Sequence, residues 1–206
     1  MEHHGADPGL VGNGALCLWP GGGAAHFIVD LRDNLLGGIY GSVAGDLMEV
    51  RGKCGAGVFA PGLDDRQMGG HGGDGLEGYS GADVMLGGAG FDDILGGTGC
   101  DTMTGGSGAD RFKFYAAQGG TGDQPLMPGD MGRDVITDFD TRGANHDRLS
   151  LGRHRAFGDM HIVRRGGDAV VDGEKTRQQI GFDLLVHIRV TLQGVPMADV
   201  TVDVFI

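Results

Sequence analysis

A nine-residue pattern is repeated five times without a gap between Gly69 and Lys113. The copies read GGHGGDGLE, GYSGADVML, GGAGFDDIL, GGTGCDTMT and GGSGADRFK. Position 4 is always glycine, position 6 is always aspartate, and position 8 is always a large apolar residue. A flexible glycine-rich linker does not keep an acidic and an apolar residue at a fixed spacing. The pattern therefore predicts a solenoid in which each unit repeats the same piece of backbone structure.

Each unit divides into a glycine-rich loop of six residues and a strand of three. Glycine permits positive φ and leaves the backbone uncovered, so main-chain carbonyl oxygens in the loop can crowd around an ion. In an extended strand successive side chains point to opposite faces, so position 8 is predicted to point inward and positions 7 and 9 outward. Leu86 and Leu95 are apolar exceptions at position 9, and we expect a partner or another part of the chain to cover them.

Two units are predicted to form one turn of a flattened right-handed coil, so units eighteen residues apart stack on the same edge. This stacking sorts the position-6 aspartates into two columns, which contain Asp74, Asp92 and Asp110, and Asp83 and Asp101. Stacked carboxylates repel one another unless a cation lies between them. Carboxylate and carbonyl oxygens in a flexible arrangement suit calcium, whereas magnesium requires a tighter octahedron and zinc prefers His or Cys. The sequence therefore predicts several calcium ions, with Asp92 serving two of them.

At these residues the chain resembles the RTX, or haemolysin-type, calcium-binding repeat proteins. The resemblance implies an all-β fold, a right-handed parallel β-roll (a β-helix) with calcium ions between neighbouring loops, and export by a type I secretion system. It also implies that the position-6 aspartates provide carboxylate oxygens and that carbonyls of positions 1 to 4 complete the shell. The carbonyl ligands implied in this way are Gly69, Gly70, His71, Gly72, Gly87, Gly88, Ala89, Gly90, Gly96, Gly97, Thr98, Gly99, Gly105, Gly106, Ser107 and Gly108. The second unit departs from the pattern, because Tyr79 replaces the second glycine, and we expect a weaker site there.

Degenerate copies of the pattern precede the five repeats. Residues 60–68 keep Asp65 at position 6 but have Pro61 and Leu63 where glycine is expected, and residues 51–59 have Ala56 in place of aspartate. We therefore predict degenerate repeats of the roll over 28–68 and the five intact repeats over 69–113. Asp65, stacked on Asp83, is the only further ligand expected upstream. Residues 1–27 are predicted to be a poorly ordered N-terminal segment.

The region after the repeats resembles the end of RTX modules from secreted metalloproteases and alginate epimerases. The resemblance is carried by GRDVITDFDTRGANHDRLSL from Gly132 and by the last four residues, DVFI, which are similar to a type I export signal. A C-terminal β cap with this signal at its end is predicted over 114–206. Asp138 and Asp140 could form an acid–base pair, but the resemblance favours a structural role that can include a calcium ligand.

Composition and motifs exclude several other classes of protein. The net charge is −12 and no basic face is evident, which argues against nucleic acid or an anionic membrane as a partner. No stretch reaches eighteen apolar residues, so no transmembrane segment is predicted, and an N-terminal signal peptide is not recognisable. The HExxH and GxSxG motifs are absent, so no enzyme is predicted. Three cysteines, an odd number without tight spacing, do not form a disulfide framework.

The sequence therefore predicts a secreted, extracellular, non-enzymatic module that leaves the cell unfolded through type I secretion machinery and folds when it binds calcium. One alternative is the C-terminal folding, secretion or substrate-binding part of a secreted protease or epimerase. Another is an extracellular adhesion protein that presents Leu86 and Leu95 to an unknown surface partner. A catalytic motif encoded upstream would favour the first alternative.

Overall fold

The computed structural model describes residues 16–17, 26–31, 38–41, 44–52, 55–114, 132–143, 146–151, 160–179 and 182–206. Within these ranges the regular structure is β-strand, apart from two short 3-10 helices at Met197–Asp199 and Val202–Val204. None of the helices found there is long and apolar enough to cross a membrane.

From β1 to β13, successive strands alternate between two sheets. The first sheet contains, in spatial order, β1 (Leu16–Cys17), β3 (Gly38–Tyr40), β5 (Gly57–Phe59), β7 (Gly75–Glu77), β9 (Asp93–Leu95), β11 (Arg111–Lys113) and β13 (Arg148–Ser150). The second contains β2 (His26–Leu31), β4 (Leu47–Gly52), β6 (Arg66–His71), β8 (Val84–Ala89), β10 (Thr102–Ser107), β12 (Asp134–Ile136), β16 (Phe182–Leu192), β15 (Asp168–Gln179) and β14 (Met160–Arg165). Neighbouring strands from β1 to β13 are parallel within each sheet. The predicted all-β parallel β-roll is confirmed.

The register of the sheets shows that two units form one turn. In the first sheet Leu76 pairs with Ile94, and Ile94 pairs with Phe112. In the second sheet Met85 pairs with Met103. Because each partner comes from the unit two places along the chain, equivalent positions lie directly above one another, as the repeat predicts.

The core of the roll is formed by the position-8 side chains of both sheets, each 3% exposed or less. The first sheet contributes Ile39, Val58, Leu76, Ile94, Phe112 and Leu149, and the second contributes Met48, Gln67, Met85, Met103, Ile136 and Leu192. These side chains, together with Val50 of β4, fill the space between the sheets of the roll. Such a narrow core buries little apolar surface per residue, so burial alone provides limited stability.

The two outward-facing leucines differ. Leu86 is 40% exposed, whereas Leu95 is only 3% exposed. Another part of the chain therefore covers Leu95, as one of the two expectations for these leucines stated, whereas Leu86 remains exposed. The two residues do not form the shared exposed apolar surface that the adhesion alternative requires.

The roll extends beyond the five intact repeats in both directions. Strands β2 to β5, upstream of the repeats, continue both sheets, and β1 lies inside the segment 1–27 for which we predicted poor order. Strands β12 and β13 lie in the region predicted as a cap, yet they pair in parallel with β10 and β11. The roll therefore continues past the last repeat before the antiparallel strands begin.

The chain then forms an antiparallel sheet and returns to the roll. Strand β15 pairs with β14 on one side and with β16 on the other, and β16 joins the roll through a parallel pairing with β12. At the end of the chain Phe205 pairs with Leu149 of β13, and the Ile206 N–H donates to the Leu149 carbonyl at 3.0 Å. The residues predicted to be an export signal thus pack against the roll in the folded protein.

Candidate calcium sites along the two edges of the roll

The loops of the repeats stack along two edges. We define edge A by the loops that carry Asp74, Asp92 and Asp110, and edge B by the loops that carry Asp65, Asp83 and Asp101. On edge A the Asp74 N–H donates to Asp92 Oδ1 at 2.8 Å, and the Asp92 N–H donates to Asp110 Oδ1 at 2.9 Å. On edge B the Asp65 N–H donates to Asp83 Oδ1 at 2.8 Å, and the Asp83 N–H donates to Asp101 Oδ1 at 3.0 Å. The aspartates therefore stack in the two columns that the repeat predicts, with Asp65 on Asp83.

Both columns are longer than the repeat alone indicates. The Asp46 N–H donates to Asp65 Oδ1, the Asp101 N–H to Asp134 Oδ1, and the Asp110 N–H to Asp147 Oδ1, at 2.6, 3.0 and 2.9 Å. Sequence reasoning missed Asp46, Asp134 and Asp147 as members of the columns. The sequence does contain a signal that could have identified these three aspartates: an apolar residue follows each of them two places later. These residues, Met48, Ile136 and Leu149, are buried in the structure.

One oxygen of each stacked carboxylate in the repeats has no partner. The Oδ2 atoms that are buried and accept no hydrogen bond belong to Asp65, Asp74, Asp83, Asp92, Asp101 and Asp110. These six side chains are at most 2% exposed. Burying a charged oxygen without a compensating contact is costly, so each of these atoms requires a positive partner or a proton.

The first glycine of a unit leaves open the space that these oxygens face. A Cβ added to Gly69 would lie 2.6 Å from Asp74 Oδ2 and 2.7 Å from the carbonyl oxygen of Gly87 in the next turn. Around Gly78 and Gly87, an added Cβ would likewise meet the Oδ2 of the same unit and the position-1 carbonyl oxygen of the next turn. Two hard oxygens from different turns thus converge where the missing side chain would be. This donor set fits calcium, which accepts mixed carboxylate and carbonyl oxygens at roughly 2.3–2.6 Å.

Burial dominates the electrostatics of both columns. It raises the pKa of Asp74, Asp92 and Asp110 on edge A to about 6, from an ordinary value of 3.8. The backbone N–H bond received by each carboxylate opposes this shift. A carboxylate that is desolvated in this way remains ionised at neutral pH more readily when a cation is bound.

Edge B is more strongly perturbed than edge A. Burial raises the pKa of Asp65 to about 7 and that of Asp83 to about 8, with further increases from neighbouring carboxylates that include Asp64. The pKa of Asp101 is raised to about 6, again by burial. Without cations, edge B therefore binds protons more tightly than edge A does.

At the end of edge A, carboxylates bond to the backbone with both oxygens. Asp147 accepts the Asp110 N–H at Oδ1 and the Asp140 N–H at Oδ2, at 2.9 and 2.8 Å. Asp138 accepts the N–H groups of Gly105 and Gly106 at 2.9 and 2.8 Å. These contacts give Asp138 a structural role in holding the last loop. Asp140 also bonds locally, accepting the Arg142 N–H at 2.9 Å.

The carbonyl groups implied as ligands are used in two ways. At position 1, the Gly87 and Gly105 carbonyls approach the carboxylates of the preceding turn. At position 3, the Ala89 and Ser107 carbonyls accept N–H groups of the preceding turn at 2.7 and 2.8 Å, and Thr98 does so at 3.1 Å. A carbonyl oxygen has two lone pairs, so these bonds leave capacity for a second contact.

No three His, Cys, Asp or Glu side chains come close enough to hold a metal within the part of the chain that the structure describes. A calcium ion in these loops would therefore need main-chain carbonyl oxygens in addition to the carboxylates, because calcium takes six to eight oxygen ligands. Comparison with known proteins agrees with this donor chemistry. The RTX calcium-binding nonapeptide repeat, in four copies, matches residues 77–112.

The repeats of this chain are RTX repeats. The RTX repeats imply a calcium-binding β-roll. Among solved structures, the chain is similar to the solution structure of the AlgE6R3 subunit from the Azotobacter vinelandii mannuronan C5-epimerase. The identity is 28%, the alignment covers 70% of this chain and 78% of that chain, and the TM-score is 0.47. No curated protein sequence matches the chain significantly.

Proposed function

We propose that this RTX roll is a calcium-dependent folding module that performs no catalysis itself. The observation that carries the proposal is the set of six buried, unpartnered Oδ2 atoms, three on each edge. We assign ligation to these atoms and to the carbonyl oxygens of the glycine-rich loops, with the position-1 carbonyls of Gly87, Gly96 and Gly105 supported most directly by their approach to Oδ2.

Each stacked aspartate has two tasks in this proposal. Its Oδ1 accepts an N–H from the preceding turn, as Asp92 Oδ1 does from Asp74, and so holds two turns in register. Its Oδ2 faces the space beside the position-1 glycine. Bound calcium supplies the positive charge that compensates the buried carboxylates in a chain of net charge −12.

Because one turn provides the carboxylate and the next turn provides the carbonyl, a site exists only when both turns are formed. Binding that requires the folded state adds directly to the free energy of unfolding. In a solenoid, where each turn contacts only its neighbours, this requirement makes folding and ion binding cooperative.

The test is a calcium titration followed by circular dichroism, starting from chelator-treated protein. We expect the strand signal to appear at calcium concentrations on the order of 10⁻⁴–10⁻³ M, the affinity range of extracellular calcium-binding modules. Magnesium is the matched control and is expected to produce little folding, because it retains its waters in a flexible site. A strand signal that is the same in chelator and in millimolar calcium would exclude calcium-dependent folding.

The same proposal includes export before folding and a secreted, extracellular location. It is supported by the RTX repeats and by the resemblance of the segment after them to type I substrates. The test compares a host that has a working type I exporter with the same host lacking it. We expect the chain in the medium of the first only, and equal amounts in both media would rule out this route. The alternatives, a part of a secreted enzyme and an adhesion protein, gain no support from the described residues.

A further inference from the structure

The departures from the repeat pattern between residues 60 and 110 all fall on edge B. On edge A the three loops read GGHGGD, GGAGFD and GGSGAD, and each has glycine at positions 1, 2 and 4. On edge B the loops read APGLDD, GYSGAD and GGTGCD, so only the third is intact. The alternation of units between the edges therefore concentrates the substituted loops on one edge of the roll.

The first loop of edge B has a different backbone. In the intact loops the positive φ values lie at positions 2 and 4, as at Gly88 (φ 118) and Gly90 (φ 137). In the loop 60–65 positive φ lies at position 3 instead, at Gly62 (φ 135). Because backbone conformation sets the direction of the carbonyl groups, this loop does not reproduce the full backbone path of the intact loops, although the Leu63 carbonyl at position 4 still faces Gly81 of the next turn.

The same loop also fills the space that glycine leaves open elsewhere. Ala60, at position 1, is fully buried and carries a real Cβ. At Gly69, Gly78, Gly87, Gly96 and Gly105, which also occupy position 1, an added Cβ would approach the aspartate Oδ2 closer than 3.0 Å. A methyl group is therefore present at position 1 of the Asp65 loop, where the intact loops have only a hydrogen atom, and Asp65 Oδ2 remains buried and unpartnered.

The second loop of edge B is strained. Tyr79 has φ 66, and it is the only non-glycine residue with positive φ among the residues that the structure describes. A left-handed backbone is unfavourable for any L-amino acid with a Cβ, because the Cβ comes too close to the following carbonyl oxygen. The strained residue lies in the same loop as Asp83, so ordering this loop around an ion is less favourable than ordering the intact loops.

We infer that the roll has two classes of calcium site, with tight sites on edge A that drive folding and weaker sites on edge B that fill at higher calcium. This inference rests on the proposed function, because it divides the same calcium sites into two classes. On edge A a buried Oδ2 and a carbonyl oxygen of the next turn face the same space beside a position-1 glycine in two places. These are Asp74 Oδ2 with the Gly87 carbonyl, and Asp92 Oδ2 with the Gly105 carbonyl. On edge B the Asp83 Oδ2 faces the Gly96 carbonyl in the same way, but in the strained loop, and Asp65 lies in the loop whose position 1 is Ala60.

A matched pair of variants tests the division. Asp92→Asn and Asp83→Asn each keep an Oδ1 acceptor for the stacking N–H and remove the charge at Oδ2. Bound calcium is measured by equilibrium dialysis and folding by circular dichroism on the same samples. For the unmodified chain we expect two binding steps, with the strand signal complete after the first. Asp92→Asn is expected to move the folding midpoint to higher calcium, whereas Asp83→Asn is expected to remove the second binding step and leave the folding midpoint within twofold.

A third variant keeps the test decisive if Asp92→Asn does not fold. Tyr79→Gly removes the strain from the edge B loop and is expected to move the second step to roughly tenfold lower calcium. Tyr79→Ala is its control, because it removes the ring but keeps the Cβ, and it is expected to leave the second step in place. A single binding step in the unmodified chain, or equal shifts of the folding midpoint in Asp83→Asn and Asp92→Asn, would overturn the two-class inference. No calcium bound in any sample would overturn the proposed function as well.

Discussion

The RTX roll and the antiparallel sheet that follows it differ in how their carboxylates are compensated. In the sheet formed by β14, β15 and β16, Asp172 is paired with Arg189 at 2.5 Å, and both side chains are about one quarter exposed. In the roll, the six unpartnered Oδ2 atoms have no such cationic side chain. The interior of the antiparallel sheet is apolar, with Ala169, Val171 and Val190 buried. The comparison teaches that the Asp172 carboxylate is compensated by a side chain of the same sheet, whereas the six Oδ2 atoms of the roll have no hydrogen-bond partner and require a cation or a proton.

The largest expected effect is on local stability after chelation. Hydrogen exchange of the amides in β6 to β11 should speed up by on the order of a hundredfold or more when calcium is removed, because ion binding stabilises only the folded loops. Amides of β15 that face β16 should change far less. Hydrogen–deuterium exchange with mass spectrometry measures both regions in one sample. Equal loss of protection in the two regions would show that the antiparallel sheet depends on the roll.

The next largest effect is expected from removing a single carboxylate. Asp92→Ala takes the acceptor away from the Asp74 N–H and removes one Oδ2, so it should raise the calcium midpoint of folding. The unpaired buried N–H alone costs about 1–3 kcal/mol. Asp172→Ala is the matched variant in the antiparallel sheet, where a partly exposed ion pair contributes up to about 1 kcal/mol. It should lower thermal stability slightly and leave the calcium midpoint unchanged, and an equal shift in both variants would contradict the comparison.

A pH dependence of intermediate size is expected, with opposite signs with and without calcium. In chelator, the raised pKa values of Asp74 and Asp92 (about 6) and Asp83 (about 8) mean that the folded state holds protons more tightly than the unfolded state does. The metal-free roll should thus be most stable below about pH 4 and lose stability as the pH rises through 6 to 8. In saturating calcium, stability should instead fall as the pH drops below about 6, because protons displace the ion. The free energy of unfolding is measured by denaturant titrations at several pH values, followed by circular dichroism, in chelator and in calcium. If stability changes with pH in the same direction in both conditions, the predicted change of sign is wrong.

The smallest expected effect concerns the narrow apolar core of the roll. Gln67 is 1% exposed, its Nε2 donates to the Glu77 carbonyl at 2.8 Å, and its Oε1 is buried without a hydrogen bond. Gln67→Met would match Met85 and Met103 in the same row and should stabilise the calcium-bound roll by up to about 1 kcal/mol. The Glu77 carbonyl retains the Ala60 N–H at 3.0 Å as a donor. Thermal unfolding in calcium measures the change, and Met85→Gln, the reverse control, should destabilise the roll.

Much of the roll could be predicted from the repeat because its period fixes the geometry. A constant nine-residue spacing places Leu76, Ile94 and Phe112 in one inward row, and the same spacing stacks Asp74 on Asp92. The extension of the columns to Asp134 and Asp147 could not be predicted in this way, because residues 114–131 interrupt the spacing. The importance given to Asp92 alone also changes, because Asp83, Asp101 and Asp110 each have a stacked aspartate on both sides.

The sequence by itself determined the structure of the local unit. In every copy the glycines specify the loop, the aspartate at position 6 supplies the carboxylate, and the apolar residue at position 8 supplies the core side chain. Only the tertiary structure decided which groups meet across turns. It brings Asp74 Oδ2 to the Gly87 carbonyl, covers Leu95, and makes both oxygens of Asp147 bond to the backbone. The physical reason is that the conformation of each nine-residue unit depends mainly on its own residues. A metal site or a buried side chain depends instead on atoms from distant chain segments, which come together only when the coil forms.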